Sequence, residues 1–173
     1  MSILTTSRTT ALISALTLLC TFTAASFADA PQSKHPGETR TGSPTSQQSA
    51  AQWKKMLTPE QYRIMVEAGT EPPFANKYDH LSARGVYVSA ADGRPLFSSA
   101  AKFDSGTGWP SFYEPITKDA IVTRTDHTGG QDRVEVLEAK TGLHLGHVFT
   151  DGPKPTGLRY CMNSAALKFI PAK

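Results

Sequence analysis

The chain has 173 residues, of which 39% are hydrophobic and 19% charged, and this length and composition fit one globular domain with appended segments. The 18 Lys and Arg residues barely exceed the 15 Asp and Glu residues and are scattered, so the basic stripe typical of nucleic-acid binding is not expected. With two cysteines, Cys20 and Cys161, the chain cannot form a disulfide framework or the usual cysteine-ligated zinc site.

The N-terminus has the pattern of an export signal, predicted for residues 1–28. It combines a polar start that carries Arg8, a mostly apolar run, and small residues that fit cleavage after Ala28. The apolar run is shorter than the about 20 residues of a membrane-spanning helix and contains Thr and Ser, so a cleaved signal is favoured over a permanent anchor. We expect an exported protein, periplasmic or secreted, whose mature form keeps Cys161 and lacks Cys20.

Two features precede the predicted sheets. Residues 29–50 are rich in Ser, Thr, Gln, Pro and Gly and almost lack large apolar side chains, which predicts a disordered leader. From Trp53 onward apolar residues fall at helical spacing, and Thr58 then places a capping residue before Pro59, at the start of a second helix that runs to about Ala68. We expect these helices to cover a core.

Beyond Lys77 the helical period gives way to short alternating or β-branched runs separated by Gly, Pro, Asp and Asn. No glycine-rich loop opens a helix after a strand, so neither a dinucleotide fold nor a phosphate-binding loop is supported. The sequence predicts one mainly β domain over residues 51–171, with antiparallel sheets and two N-terminal helices. The predicted strands lie near Gly85–Ser89, Ile121–Asp126, Arg133–Glu138, His147–Thr150, Leu158–Met162 and Leu167–Ile170.

The strand around Cys161 places a thiol on a polar face. Alternation sends Arg159, Cys161 and Asn163 to one face, and Tyr160 and Met162 to the other. A structural cysteine would be expected on the apolar face, so this placement favours a reactive thiol over a packing role. Arg159 can stabilise the thiolate and lower its pKa, and Asn163 can donate hydrogen bonds to the sulfur or to a bound polar group.

Two histidines, His144 and His147, lie on either side of Gly146. A metal site needs at least a third ligand, and no nearby cysteine or carboxylate cluster supplies one, so metal binding is disfavoured. His144 fits either a core histidine held by a backbone carbonyl or an imidazole that orients a neighbour. His147 is the better candidate for an acid or proton donor.

A glycine-rich loop leads into an aromatic pair over residues 103–112. One interpretation is a tight turn with core aromatics. The other is that Trp109, held by Pro110 and preceded by glycines, forms the wall of a pocket for an apolar or methyl-bearing ligand. Asp151 lies in an Asp-Gly-Pro stretch and is interpreted as a turn residue rather than an acid catalyst.

Together these segments resemble the methionine sulfoxide reductase B family. The resemblance rests on KFDSGTGWPSFYEP at residues 102–115, HLGHVFTDGP at 144–153 and PTGLRYCMNSAAL at 155–167, and it covers roughly residues 51–171. It implies a fold of two antiparallel sheets packed around a site that opens at one side.

The resemblance also implies an activity, the reduction of methionine R-sulfoxide, peptide-bound or free, in the repair of oxidised proteins. The thiolate attacks the sulfoxide sulfur, His147 supplies or relays protons to the departing oxygen, and Cys161 becomes a sulfenic acid. An external thiol such as thioredoxin then restores Cys161, and no cofactor is implied. Carried over residue by residue, the family's catalytic groups fall on Cys161, His147, Arg159 and Asn163, and its substrate-binding groups on Trp109 and His144.

Two departures from the family pattern matter. Many members hold a structural zinc in two Cys-x-x-Cys pairs, but the matching residues here are Ser89, Asp92, Glu138 and Thr141, so no zinc is expected. Where many relatives carry a resolving cysteine this chain has Thr107, which implies direct reduction of the sulfenic acid by an outside thiol. Two rival interpretations are a sulfoxide-binding domain with impaired catalysis and a β domain with an inert, buried cysteine.

Overall fold

The computed structural model describes residues 48–173. The export signal predicted for residues 1–28 and most of the leader predicted for residues 29–50 lie outside this part of the chain. The first described helix begins at Ala50 with Ser49 as its N-cap, so the last residues assigned to the disordered leader belong to a capped helix. Ser49 suits this position because its hydroxyl accepts a hydrogen bond from a backbone N–H of the first turn.

The described residues form two short helices followed by nine strands. The helices are α1 (Ala50–Met56) and α2 (Pro59–Met65). The strands are β1 (Gly85–Ser89), β2 (Pro95–Ser98), β3 (Lys102–Phe103), β4 (Ser111–Phe112), β5 (Ile121–Asp126), β6 (Arg133–Glu138), β7 (His144–Phe149), β8 (Arg159–Met162) and β9 (Leu167–Pro171). They make a three-stranded sheet in the order β2-β1-β9 and a six-stranded sheet in the order β3-β4-β8-β7-β6-β5, with antiparallel pairing throughout. The prediction of a mainly β fold with two antiparallel sheets and short N-terminal helices is confirmed.

The second helix starts where the sequence predicts and ends earlier. Thr58 and Gln61 form a capping box on either side of Pro59, the first residue of the helix. The helix ends at Met65 rather than near Ala68, because Ala68 adopts a left-handed φ of 52°, which turns the chain out of the helix. In the described part of the chain, no helix is long and apolar enough to cross a membrane.

The longer strands match the prediction more closely than the very short ones. β1, β5 and β6 have the predicted bounds. β7 begins at His144 rather than His147, because its pairing with β6 continues through a register shift around Leu145. The sequence pattern does not predict β2, β3 or β4. β3 and β4 contain two residues each, which is too short for any alternation to appear.

The core contains aromatic side chains from both sheets. Phe97 of β2 stacks on Phe112 of β4 with ring centroids 4.5 Å apart, and Tyr87 of β1 meets Phe112 edge-on at 5.0 Å. All three are fully buried, as is Met162 of β8 in the same cluster. These contacts fix β4 and β8, the strands that bring Cys161 into its position. The helices cover the core as expected, through Trp53, Leu57, Ile64 and Met65.

Candidate active site

Strand register assembles the site around Cys161. β8 lies between β4 and β7, and the register pairs Cys161 with Ser111 on one side and with His147 on the other. Arg159 pairs with Phe149 in the same ladder. Side chains at paired positions are neighbours on one face of a sheet. The thiol is unpaired and partly buried.

Burial and neighbouring groups act on the Cys161 thiol in opposite directions. Burial raises its pKa above the ordinary value, and this outweighs the lowering effects of Thr107, Arg159 and Ser111. The Thr107 hydroxyl lies 3.9 Å from the sulfur. Arg159 therefore acts in the predicted direction, but the net pKa shift is upward. The charge of Arg159 near the thiol can be inferred from the sequence, whereas the burial of the thiol cannot.

Arg159 is held by a carboxylate that the sequence assigned to a turn. Its Nε and Nη2 atoms donate to the two carboxylate oxygens of Asp151 at 2.9 and 2.8 Å. Its guanidinium lies 4.3 Å from the centre of the Phe149 ring, a cation–π contact. Asp151 raises the pKa of Arg159, so the guanidinium stays charged beside Cys161. The interpretation of Asp151 as a turn residue alone is incomplete, because this bidentate pair fixes Arg159.

His147 is partly buried and pairs with a carboxylate from β5. Its Nε2 atom lies 2.8 Å from Oδ2 of Asp126. Hydrogen bonds from Thr128 and His147 hold the pKa of Asp126 far below its usual range, so this carboxylate is ionised. Burial lowers the pKa of His147, with Asp126 opposing. A neutral His147 therefore donates from Nε2 to Asp126, and its Nδ1 becomes a proton donor only when the ring is protonated.

His144 lies beneath the site, 3% exposed. Its Nδ1 atom lies 2.8 Å from Oε1 of Glu135, whose other oxygen accepts two hydrogen bonds from Arg124. Its Nε2 atom lies 3.5 Å from Nδ2 of Asn163. Of the two interpretations left open by the sequence, these contacts favour an imidazole that orients its neighbour. They do not support the direct substrate contact assigned to His144.

The side-chain amide of Asn163 is fully engaged. Its Nδ2 atom donates to the carbonyl of Leu145 at 3.2 Å and faces the free nitrogen of His144. Its Oδ1 atom accepts from the backbone N–H of Glu71 at 3.1 Å. The partners of the amide nitrogen in the structure are Leu145 and His144, rather than the sulfur, which is one of the two acceptors expected from strand alternation. Asn163 instead ties the end of β8 to the segment after α2.

Trp109 is fixed through its indole N–H and keeps its ring partly exposed. Nε1 donates to the backbone carbonyl of Glu71 at 3.0 Å. The Glu71 carboxylate in turn accepts from the backbone N–H groups of Ser164 and Ala165. Glu71 thus connects Trp109 and Asn163 through its backbone and the turn after β8 through its side chain. Sequence reasoning missed Glu71, because it lies in a Gly-Thr-Glu-Pro-Pro stretch that only indicates the end of a helix.

The residues that match the zinc ligands of many methionine sulfoxide reductase B proteins form a hydrogen-bonded cluster. Ser89 and Thr141 donate to Oε2 of Glu138 at 2.7 and 2.8 Å, and Asp92 accepts from Lys140 at 2.9 Å. Glu138 is fully buried, and burial raises its pKa. Within residues that the structure describes, no group of three or more His, Cys, Asp or Glu side chains is arranged for a metal ion. The four matching side chains supply no sulfur, and their hydroxyls already donate to a carboxyl group, so they do not fit a tetrahedral zinc.

Known proteins are similar in sequence to this chain over the residues that form both sheets. The family model described as a SelR domain matches residues 57–171, more than half of the chain. The peptide methionine sulfoxide reductase MsrB of Thiobacillus denitrificans is 60% identical over 121 residues, which cover 70% of this chain and 92% of that protein. The MsrB proteins of Leptospira interrogans and Methanosarcina barkeri are 55% and 50% identical, over 68% and 71% of this chain and 89% and 87% of their own lengths. With its two antiparallel sheets and its central cysteine strand, the chain belongs to the methionine sulfoxide reductase B family.

Proposed function

We propose that this chain reduces methionine R-sulfoxide to methionine, in oxidised proteins or as the free amino acid, with Cys161 as the nucleophile. The family assignment gives the reaction. The role of Cys161 is supported by its position in the ladder, between Ser111 of β4 and His147 of β7, with Arg159 two residues before it. Cys161 is also the only cysteine within the residues that match the family model.

The proposed reaction transfers one oxygen atom from substrate to enzyme. The Cys161 thiolate attacks the sulfoxide sulfur and forms a sulfur–sulfur bond, while the sulfoxide oxygen takes up a proton. The oxygen then moves to the Cys161 sulfur as the substrate's sulfur–oxygen bond and the sulfur–sulfur bond break, so methionine leaves and Cys161 becomes a sulfenic acid. The proton lost by the thiol is balanced by one delivered to the oxygen, for which we assign protonated His147 through its Nδ1 atom. Arg159 stabilises the anionic sulfur, and the exposed face of Trp109 contacts the substrate methyl group.

Turnover in this proposal requires an external reductant. Two outside thiols, such as those of a thioredoxin-like protein, restore the Cys161 thiol and yield one disulfide and one water. Thr107 stands where many relatives carry a resolving cysteine, and this supports direct reduction. We further propose that the protein works without zinc, on the strength of the hydrogen-bonded cluster around Glu138, and outside the cytoplasm, on the strength of the predicted export signal.

Single-turnover reduction of R- and S-sulfoxide peptides by the pre-reduced full-length chain tests the proposal. We expect about one methionine per chain from the R epimer, none from Cys161→Ser, and an unchanged yield from the matched thiol control Cys20→Ser. Methionine formed by Cys161→Ser, or equal yields from both epimers, would contradict the assignment. A folded protein that binds the sulfoxide without forming methionine would favour the catalytically impaired binding domain.

A further inference from the structure

Three side-chain hydroxyls connect Cys161 to a backbone carbonyl. Thr107 Oγ1 lies 3.9 Å from the sulfur of Cys161, and Ser105 Oγ lies 2.8 Å from Thr107 Oγ1. Ser111 Oγ lies 2.8 Å from Ser105 Oγ and 3.2 Å from the carbonyl oxygen of Trp109. We name Ser105, Thr107 and Ser111 the hydroxyl chain. It links the glycine-rich loop to β4 directly beside the thiol.

The hydroxyl chain can run in either direction, because each hydroxyl has one proton to donate and lone pairs to accept. When Cys161 is a thiol, its S–H donates to Thr107, each hydroxyl donates outward, and Ser111 donates to the carbonyl of Trp109. When Cys161 is a thiolate, each hydroxyl donates inward and Thr107 donates to the sulfur. Ionisation then gives up the hydrogen bond at the carbonyl and gains a charge-assisted one at the sulfur.

The charged groups beside Cys161 have carboxylate partners of their own, although Arg159 also acts on the sulfur. Arg159 on the same strand donates two N–H groups to Asp151, and His147 on β7 pairs with Asp126. From β4 and the loop before it, Thr107 and Ser111 of the hydroxyl chain act on the sulfur. Neutral hydroxyls that can reorient are therefore the groups on this side of the thiol.

We propose that the hydroxyl chain keeps this partly buried thiol ionisable by reversing its direction when Cys161 loses its proton. The proposal rests on the proposed function, in which the ionised sulfur is the nucleophile. Thr107 and Ser111 act directly on the reacting sulfur, whereas Ser105 acts through Thr107 and is a positioning residue. Among the effects that oppose burial on the pKa of Cys161, that of Thr107 is the largest.

The rate of alkylation by iodoacetamide as a function of pH reports the thiolate directly. The measurement uses the full-length Cys20→Ser chain, in which Cys161 is the only thiol. Thr107→Val keeps the branched shape and removes the hydroxyl, so we expect the midpoint to rise by about one pH unit and alkylation below it to slow about tenfold. Thr107→Ser restores the hydroxyl and should restore the profile. Ser105→Ala removes the donor behind Thr107 and should shift the midpoint less, in the same direction.

Several outcomes overturn the proposal. An unchanged midpoint in Thr107→Val, a failure of Thr107→Ser to restore it, or an equal shift in the exposed control Thr125→Val would each do so. Circular dichroism at each pH establishes that the variants are folded. Methionine yield separates this proposal from the proposed function: a shifted midpoint without methionine formation removes the function and leaves the hydroxyl chain, and the reverse result removes the hydroxyl chain alone.

Discussion

Substitution of Glu71 tests whether one buried carboxylate stabilises the candidate site. The residue is 4% exposed, and its carboxylate accepts from the backbone N–H groups of Ser164 and Ala165. Glu71→Ala leaves the buried N–H of Ser164 and the partly buried N–H of Ala165 without an acceptor, at a cost of about 1–3 kcal/mol each. Burial raises the pKa of Glu71, so desolvation already offsets part of what the carboxylate contributes. We therefore expect a loss of about 2–3 kcal/mol in the free energy of unfolding, near the lower end of the summed cost for the two N–H groups.

Urea unfolding at pH 7 measures this loss. Glu71→Gln keeps the shape and one acceptor oxygen but presents its NH₂ group to the second backbone N–H, so about half of the loss is expected. Glu67→Ala is the matched control, because Glu67 is exposed on the same segment, and it should change the free energy of unfolding by less than about 0.5 kcal/mol.

The same variants test the link to catalysis. The backbone of Glu71 holds Trp109 and Asn163, so the single-turnover rate of the folded protein should fall several-fold more in Glu71→Ala than in Glu67→Ala. Equal stability of the two variants would refute the reasoning about the buried carboxylate. Lost stability with an unchanged rate would refute the connection between this carboxylate and the site.

Two other carboxylates and one strained residue give further predictions. Burial raises the pKa of Glu138, so its contribution to the free energy of unfolding is full below pH 4.5 and is lost as pH rises through the folded-state pKa. In Glu138→Gln, the free energy of unfolding measured in urea should fall less over this pH range. Asp126→Asn removes the carboxylate that opposes the lowering of the His147 pKa, so the pH profile of the single-turnover rate should move to lower pH. An unmoved profile would show that the Asp126–His147 pair does not set the pH dependence. Phe74 is 63% exposed and has a left-handed φ of 58°, which strains alanine but not glycine. The free energy of unfolding of Phe74→Gly should therefore exceed that of Phe74→Ala by about 1 kcal/mol.

The sequence predicts best those strands that are runs of several residues between clear turn signals. β5 and β6 are six-residue runs that contain β-branched residues and are bounded by turn residues, so their ends can be read from the sequence. β4 is a strand because β8 supplies its partners: Ser111 pairs with Cys161, and Phe112 pairs with Tyr160. β3 pairs with β4 in turn. A two-residue strand is defined by its neighbour, and the neighbour is about 50 residues away in the chain.

Candidate site residues could be proposed from the sequence, whereas the groups that hold them in the structure could not. Each holding group comes from another element, and its distance along the chain hides it: Glu71 reaches Asn163, Asp126 reaches His147, and Glu135 reaches His144. The direction of the Cys161 pKa shift was hidden for the same reason, since burial is created by contacts that only the fold brings together.

His144 and His147 lie on the same face of the sheet because of an irregularity in β7 that the sequence pattern does not show. In a regular strand, residues three apart point to opposite faces, which would separate His144 from His147. The pairing of β6 with β7 shifts at Leu145, and this extra residue returns both imidazoles to one face, with ring centroids 5.4 Å apart. A Cβ at Gly146 would lie 2.1 Å from the carbonyl oxygen of Cys161, so glycine lets β7 approach β8 closely. The bulge and the glycine together bring the imidazoles of His144 and His147 to the face of the sheet that carries the thiol.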